Sequence, residues 1–340
     1  FLRRPFSDET LRVSVASDGT QANGPSFRPA ISANGRFVAF VSSASNLVPS
    51  DTNGGTDVFV RDLVAGTTER VSRRSDRTQA AASGPDARVS ISGDGRWVAF
   101  SSAANDLVPG DSNDVSDIFL HDRLNDTTTR ISVDTIEDNP NGASFNPRIS
   151  ADARFVAFDS LASDLVFSDT NAAADVFVRL LGARRTERVS ISTTGSQGNG
   201  ASTAPSISAD GRFVAFSSLA TNLGEGADTN GQADIFLRDR ASGTTRSRVQ
   251  GNGASTEASI APNGRALVFS TLATNLGIPD GNGSSDVWRA LGRPDAVLSI
   301  QAPSPPNPGV GNYFRVPVKV VDPTGLGPVP RGGVELVLVG

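Results

Sequence analysis

The sequence predicts an all-β fold, a β-propeller built from four-stranded antiparallel blades. Three observations predict it: an apolar five-residue segment recurs along the chain, a tight turn precedes it, and a second apolar segment follows it. The first segment reads RFVAF at 36–40, RWVAF at 96–100, RFVAF at 154–158 and 212–216, and RALVF at 265–269, at spacings of 60, 58, 58 and 53 residues. A nearly fixed period of this length indicates a repeat architecture in which each repeat is one supersecondary unit.

Each repeat contains four strand signals. The second apolar segment reads DVFVRD from Asp57, DIFLHD from Asp117, DVFVRL from Asp175, DIFLRD from Asp234 and DVWRAL from Asp286. These segments are too short for helices and are rich in Val, Ile and Phe, so they are predicted strands. Turns such as SANGR and SGDGR carry the Asn-Gly and Asp-Gly pairs of two-residue hairpins, and a fourth strand is predicted at 67–72, 127–132 and 185–190. Four antiparallel strands make one propeller blade.

The period divides the chain into blades at approximately 1–14, 15–72, 73–132, 133–190, 191–249 and 250–295. The first range is partial, because residues 1–14 align with the third and fourth strands of the later repeats. A single blade cannot bury both of its faces, so neighbouring blades must stack and closure into a ring is expected. Five blades plus a half blade predict six blades in the intact protein.

The composition of the chain changes at Pro294, after which proline-rich connectors separate segments of alternating apolar residues. We expect residues 296–340 to be the start of an immunoglobulin-like β domain, a partial β-sandwich truncated at Gly340. The segment from Ala296 to Gln301 is open to a second interpretation, as the fourth strand of the fifth blade.

Two sets of side chains follow from the strand alignment. Antiparallel pairing of the second and third strands predicts the ion pairs Arg36 with Asp62, Arg96 with Asp122 and Arg212 with Asp239. It also predicts that aromatic residues of the second and third strands are buried between blades. These are Phe40, Phe100, Phe158, Phe216 and Phe269 in the second strand, and Phe59, Phe119, Phe177, Phe236 and Trp288 in the third.

Composition excludes several classes of function. The net charge is −5 and the basic residues are scattered singly, so nucleic acid is not an expected partner. The chain has no cysteine and one histidine, which leaves no disulfide, no zinc site of the usual composition and no Cys-His nucleophile. His121 takes a strand position that is arginine in the other blades and is expected to be a surface variant. No apolar run is long enough for a transmembrane segment, and the chain begins at Phe1 without a signal peptide, as expected of a fragment or processed form.

The pattern D-x-N-x-x-x-D recurs before the third strand of every blade. Carboxylate and amide oxygens are the hard ligands that Ca²⁺ prefers, so these loops are candidate Ca²⁺ sites. The alternative is that Asp and Asn bond to their own backbone and shape the loop, since the motif supplies fewer than the six to eight ligands of Ca²⁺. The candidate ligands are Asp51, Asn53, Asp57, Asp111, Asn113, Asp117, Asp169, Asn171, Asp175, Asp228, Asn230, Asp234, Asp280, Asn282 and Asp286.

The repeated residues resemble those of the TolB-like propellers, relatives of the WD-type repeat, over roughly residues 1–295. The resemblance lies in the Ser-x-Asn/Asp-Gly-Arg turn and the two apolar strands, as in Ser32 to Phe40 and Asp57 to Asp62. The chain departs from the pattern at Ala153, which replaces the turn glycine, and at Ala266 and Leu267. The resemblance implies a periplasmic or extracellular protein that binds other proteins.

The connections between the second and third strands, and between the fourth strand and the next blade, are the long ones and are expected to share one face. Loops on a rigid scaffold are where recognition usually resides. We therefore expect a secreted, periplasmic or cell-surface binding platform for a protein or a polysaccharide, without catalytic residues and with Ca²⁺ as its one candidate cofactor. The alternative is a carbohydrate-active propeller enzyme, a glycoside hydrolase or lyase with an acidic axial pocket. The oligomeric state is left open.

Overall fold

The structure is a computed structural model, and it describes residues 1–3, 9–224, 228, 230–249, 251–276, 284–291 and 297–298. In this part of the chain the regular structure consists entirely of β-strands. None of it forms a helix with the length and hydrophobicity needed to cross a membrane.

Five four-stranded antiparallel sheets follow one another along the described chain, each with its strands in sequence order. Blades 1 and 2 contain β3 (Ser26–Ile31), β4 (Phe37–Ser42), β5 (Asp57–Asp62), β6 (Thr67–Arg70), β7 (Val89–Ile91), β8 (Trp97–Ser102), β9 (Asp117–Asp122) and β10 (Thr127–Arg130). Blades 3 and 4 contain β11 (Ser144–Ile149), β12 (Phe155–Ser160), β13 (Asp175–Leu180), β14 (Arg185–Arg188), β15 (Ser202–Ile207), β16 (Phe213–Ser218), β17 (Asp234–Asp239) and β18 (Thr244–Val249). Blade 5 contains β19 (Ser255–Ile260), β20 (Ala266–Thr271), β21 (Asp286–Leu291) and β22 (Val297–Leu298). The predicted all-β propeller of four-stranded blades is confirmed.

A short sheet of β1 (Leu2–Arg3) and β2 (Thr10–Leu11) precedes blade 1. Leu2 pairs with Leu11 as Val60 pairs with Glu69 in blade 1, so the two strands have the register of a third and a fourth strand. At the other end, Val297 pairs with Ala290 of β21. This pairing agrees with the second interpretation of the segment from Ala296 to Gln301, as the fourth strand of blade 5. The predicted immunoglobulin-like module, residues 296–340, lies outside the described part of the chain apart from Val297 and Leu298.

The hydrophobic core lies between consecutive blades rather than within one sheet. Between blades 1 and 2, Val58 and Val60 of β5 pack with Val98 and Phe100 of β8, and corresponding clusters join blades 2 to 3, 3 to 4 and 4 to 5. The alternating side chains of a strand point to opposite faces, so each blade contributes one face to each neighbour. Stacking of blades therefore supplies the burial that no single blade achieves.

The aromatic residues predicted to be buried are buried in all five blades. In blades 1 to 4 the two rings of a blade stack on each other, with centroids 5.8 Å apart for Phe40 and Phe59 and 5.9 Å apart for Phe216 and Phe236. The rings are neighbours because their residues are direct cross-strand partners, as in Phe100 with Phe119. The prediction from the repeat is confirmed.

The predicted arginine–aspartate pairs also form. The guanidinium of Arg36 donates to both carboxylate oxygens of Asp62, at 2.7 to 3.1 Å, and the same pairing joins Arg96 to Asp122 and Arg212 to Asp239. The cross-strand partner of Asp62 is Phe37, so the arginine reaches the carboxylate from the residue before the strand.

Blade 5 exposes one face in the described structure. Val268 and Val287 are exposed, although their counterparts in blade 1, Ala39 and Val58, are completely buried against the next blade. No described residue covers this face. Closure of a six-bladed ring thus stays a prediction.

Candidate functional site

The long loops meet on one side of the blades, as expected, and are tied to one another by hydrogen bonds. In blade 1, Asn46 lies in the connection between the second and third strands. Its side chain accepts a hydrogen bond from the Asn23 backbone N–H and donates one to the Gln21 carbonyl. The Asn23 side chain in turn donates to the Ser45 hydroxyl and accepts a hydrogen bond from the Ser45 backbone N–H. Equivalent contacts join Asn141 to Asp164, Asn199 to Asn222 and Asn252 to Asn275. We call this side the long-loop face; side-chain amides hold its loops in place.

Three leucines are exposed on the long-loop face at equivalent positions of consecutive blades. Leu161, Leu219 and Leu272 each follow the second strand directly, and they are 59%, 50% and 52% exposed. Blades 1 and 2 have Ser43 and Ala103 at this position. The leucines thus occupy the same place in three consecutive blades, and we call this row along blades 3 to 5 the apolar arc.

A further apolar pair lies in blade 3, beside the turn between β13 and β14. Phe167 is 84% exposed and occupies the position of a proline in blades 1 and 2, while Ile136 lies exposed on the adjacent loop. Phe167 lines a cavity of about 270 Å³ together with Glu137 and Arg179. The Glu137 carboxylate forms ion pairs with Arg179 and Arg184, so this pocket carries both apolar and charged groups.

The D-x-N-x-x-x-D loop of blade 1 brings its two carboxylates to one arginine. Nη1 of Arg70, from the fourth strand, lies 3.3 Å from Oδ1 of Asp51 and 3.8 Å from Oδ2 of Asp57. The Asn53 amide donates to Asp57 at 3.0 Å, and its own oxygen accepts the Gly55 backbone N–H. The loop therefore presents a guanidinium and an amide N–H to the carboxylates.

Further donors complete this arrangement. The Ser72 hydroxyl donates to Asp57 at 2.7 Å and accepts the backbone N–H of Val58, while the Gln79 side chain donates to Asp51 at 2.8 Å. Oδ1 of Asp51 and both carboxylate oxygens of Asp57 thus face donors, and both acids are almost fully buried. These contacts favour the loop-shaping interpretation of the motif in blade 1.

Blades 2 and 3 repeat the arrangement. Arg130 pairs with Asp111 at 3.0 Å and Asp117 at 3.6 Å, and Arg188 pairs with Asp169 at 3.3 Å and Asp175 at 3.6 Å. Asn113 and Asn171 donate to the second aspartate, and Ser132 and Ser190 donate to its other oxygen. The residue after the asparagine adopts a positive φ in each blade, whether it is Gly54, Asp114 or Ala172.

Burial dominates the electrostatics of these loops. It raises the pKa of Asp57 and of Asp117 to about 6, against the opposing effects of the serine hydroxyl, the asparagine amide and the arginine. The pKa of Asp175 is raised for the same first reason. Two buried carboxylates share one guanidinium, so the loop retains a net negative charge when both are ionised.

In blade 4, Asp228, Asn230 and Asp234 keep the loop geometry but have different neighbours. The Asn230 amide oxygen accepts the Gln232 backbone N–H at 2.6 Å, and its N–H₂ donates to the Gly251 carbonyl, as Asn53 donates to the Ala80 carbonyl in blade 1. Burial and the Asp228 carboxylate raise the pKa of Asp234 to about 6. In blade 5, Asp286 begins β21 opposite Thr271, and Asp280 and Asn282 lie outside the described residues. No cluster of three acidic or histidine side chains suited to a metal is present in the described part of the chain.

His121 is completely buried, so the expectation of a surface variant is wrong. Its Nδ1 lies 2.9 Å from the hydroxyl of Thr128, and its Nε2 is 3.6 Å from Asp126. Burial, followed by the positive charge of Arg73, lowers the pKa of His121 to about 4. In blades 1, 3 and 4 the arginine at this position bonds the equivalent fourth-strand threonine, as Arg61 bonds Thr68. The third and fourth strands bury a polar side chain at the position of His121. The alternation of buried and exposed residues along one strand did not predict this burial.

Asp159 is a buried acid that the repeat analysis missed. It follows Phe158 in the second strand, where the other blades have Val41, Ser101, Ser217 and Ser270. Its carboxylate accepts the Asn146 side-chain amide at 2.9 Å and the Ala204 backbone N–H at 3.2 Å, so it joins the first strands of blades 3 and 4. Burial raises its pKa. An acid at a position that is otherwise apolar or serine was the available signal.

No protein-family model matches the chain, and no curated protein sequence matches it either. Solved structures do. An oligogalacturonate lyase in complex with manganese is 11% identical with a TM-score of 0.50, over 80% of this chain and 65% of that one. The putative TolB from Agrobacterium tumefaciens is 16% identical with a TM-score of 0.49, over 80% and 78%. TolB from Acinetobacter baumannii is 18% identical with a TM-score of 0.45, over 77% and 56%.

Identities this low show a shared fold and nothing finer. The chain spans 56% of the length of the Acinetobacter TolB and 65% of the length of the lyase. The propeller fold therefore rests on the repeated four-stranded sheets together with this likeness.

Proposed function

We propose that the chain is a non-enzymatic binding platform that recognises a protein or a polysaccharide through its long-loop face. The observation that carries the proposal is the apolar arc of Leu161, Leu219 and Leu272, exposed on loops that are held in place by side-chain amides. Exposed apolar side chains that lie together mark interaction surfaces more often than isolated ones do. Phe167, on the long connection between the second and third strands of blade 3, is a further exposed aromatic side chain, and aromatic residues are frequent anchors of protein interfaces.

The repeated acids of the face support a binding rather than a chemical role. Asp51 contacts Arg70 and Gln79, and Asp57 accepts a hydrogen bond from Ser72, so these carboxylates hold the loops in their conformation. The apolar arc favours a protein over a polysaccharide as the partner. The resemblance to TolB-like propellers extends the proposal to a periplasmic, extracellular or cell-surface location.

Site-specific photocrosslinking tests the proposal. A photoreactive phenylalanine analogue replaces Leu219 on the long-loop face or, as the matched control, Leu124, which is 73% exposed on the turn between the third and fourth strands. Incubation with cell-envelope extract and with a panel of polysaccharides should give a saturable adduct from the Leu219 position only. Unlabelled chain should compete for the adduct, and the double variant Leu161→Ser, Leu272→Ser should weaken it. Equal labelling from both positions would contradict the proposal.

The alternative function is a carbohydrate-active enzyme, and Asp159 is the observation that favours it. It is a buried acid with a raised pKa that breaks the repeat, as a general acid would. One of the structures with a similar fold is, by its name, an oligogalacturonate lyase, an enzyme that acts on a carbohydrate. Cleavage of a polysaccharide by the chain, abolished in Asp159→Asn with the fold retained, would establish this function in place of the first.

A further inference from the structure

The fourth blade lacks the arginine that lies between the two aspartates in blades 1 to 3. The fourth-strand residue paired with the third-strand phenylalanine is Arg70 opposite Phe59, Arg130 opposite Phe119 and Arg188 opposite Phe177. In blade 4 the residue opposite Phe236 is Ser247. The pairing of β17 with β18 is irregular at this point, with Val249 opposite Ile235, so Ser247 alone takes the arginine position.

The nearby arginines do not replace the missing guanidinium. Burial, followed by the charge of Arg246, lowers the pKa of Arg248, and burial, followed by the charge of Asp228, raises the pKa of Asp234. Both interactions are between like charges. In the described structure Asp228 and Asp234 therefore have no cation of the protein between them.

Three of the four carboxylate oxygens of the pair are buried without hydrogen-bond partners; Oδ1 of Asp228 accepts the Asn230 backbone N–H. Asp234 is completely buried, and neither of its carboxylate oxygens has a partner; the same is true of Oδ2 of Asp228 and of the Ser247 hydroxyl. The nearest donors, the Asn230 amide and the Gly251 N–H, lower the pKa of Asp234 but do not reach it in hydrogen-bond geometry. By contrast, both oxygens of Asp57 accept hydrogen bonds. An unpaired buried carboxylate is costly, and native proteins compensate such groups with a counter-charge or a metal.

We propose that blade 4 binds a hard divalent cation, Ca²⁺, between Asp228 and Asp234, where the other blades hold an arginine guanidinium. Two carboxylates and a hydroxyl are oxygen ligands of the kind that Ca²⁺ takes, and water completes its coordination. The Ser247 side chain is several bonds shorter than that of arginine, so it places no guanidinium between the acids. The sequence predicted candidate Ca²⁺ loops in every blade. The proposal retains only the loop of blade 4, where no arginine of the protein neutralises the two acids.

Calcium titration of the whole chain tests the proposal. Calorimetric titration with CaCl₂ after chelator treatment, at a pH above 7, measures the number of bound ions, and thermal unfolding with Ca²⁺ or chelator measures its effect on stability. We expect Ca²⁺ to raise the melting temperature by about 2 °C or more when its concentration is far above the dissociation constant. Asp228→Asn should bind one ion fewer than the parent.

Two variants separate this site from any other. Ser247→Arg places a guanidinium at the position of Arg70; it should bind one ion fewer than the parent and should melt at a higher temperature in chelator. Asp57→Asn, in a blade that keeps its arginine, is the matched control and should bind as many ions as the parent. The proposal is overturned if the parent binds no Ca²⁺, if Ser247→Arg and Asp228→Asn bind as many ions as the parent, or if Asp57→Asn loses the ion. Because Ser247→Arg leaves both acids in place, its result does not depend on folding of an aspartate variant.

Discussion

The ring of Phe37 in blade 1 lies directly against Gly95 in the turn of blade 2. A Cβ atom at Gly95 would be 2.1 Å from Cδ2 of the ring, and Gly95 has a φ of 77°. The guanidinium of Arg123 covers the same ring at 4.4 Å and donates to the Gly95 carbonyl. The same contact joins Gly211 to Phe155 and Gly264 to Phe213, so the turn glycine of one blade fixes the spacing to the blade before it.

Gly95→Ala should therefore destabilise the protein by about 2–4 kcal/mol, because overpacking against Phe37 adds to the cost of a left-handed backbone. Gly19→Ala is the matched control, since Gly19 has a φ of 88° and no atom within 4 Å of its Cβ position. It should cost about 1 kcal/mol. Urea unfolding of both variants gives the comparison, and equal losses would show that packing against Phe37 contributes nothing.

Phe100→Ala should destabilise the protein by about 3–5 kcal/mol, because it removes a completely buried ring from the core between blades 1 and 2. The ring also stacks on Phe119, at a centroid distance of 5.8 Å. Phe167→Ala, the control at an exposed ring, should change the free energy of unfolding by less than about 0.5 kcal/mol. Similar urea midpoints for the two variants would contradict the assignment of the core.

Arg70→Ser should place a serine at the arginine position of blade 1, as Ser247 is placed in blade 4. Loss of the guanidinium leaves Asp51 and Asp57 buried without their cation, which should cost about 3–5 kcal/mol in chelator. If blade 4 binds Ca²⁺, the variant should bind one ion more than the parent and recover part of this loss. A cost below about 1 kcal/mol in chelator would show that Arg70 does not compensate the pair.

His121 should make stability depend on pH in weakly acidic solution. Its pKa is lowered from 6.5 to about 4 in the folded protein, so between these values the unfolded chain binds more protons and the stability falls as the pH falls. The loss should be roughly 2–3 kcal/mol by about pH 4. In His121→Gln this part of the pH dependence should disappear, as measured by urea unfolding from about pH 7 to about pH 4. Parallel curves for the parent and the variant would rule out the effect.

The sequence by itself determined the repeat, and the repeat determined most of the fold. Strand identity, the burial of Phe100 and its equivalents, and the Arg36–Asp62 pair all depend on contacts within one period or between identical neighbours. The same local chemistry recurs in each blade, so a periodic pattern was sufficient to predict it.

Tertiary structure decided what happens where one blade departs from the others. The sequence showed Asp228 and Asp234 as one more copy of a motif; only the pairing of Phe236 with Ser247 showed that their arginine is missing. His121 and Asp159 likewise differ from the repeat by one residue each, and their burial is set by neighbouring strands and blades. The physical reason is that burial and counter-charge belong to the assembled environment of a side chain, whereas periodicity along a sequence specifies only its place in the blade.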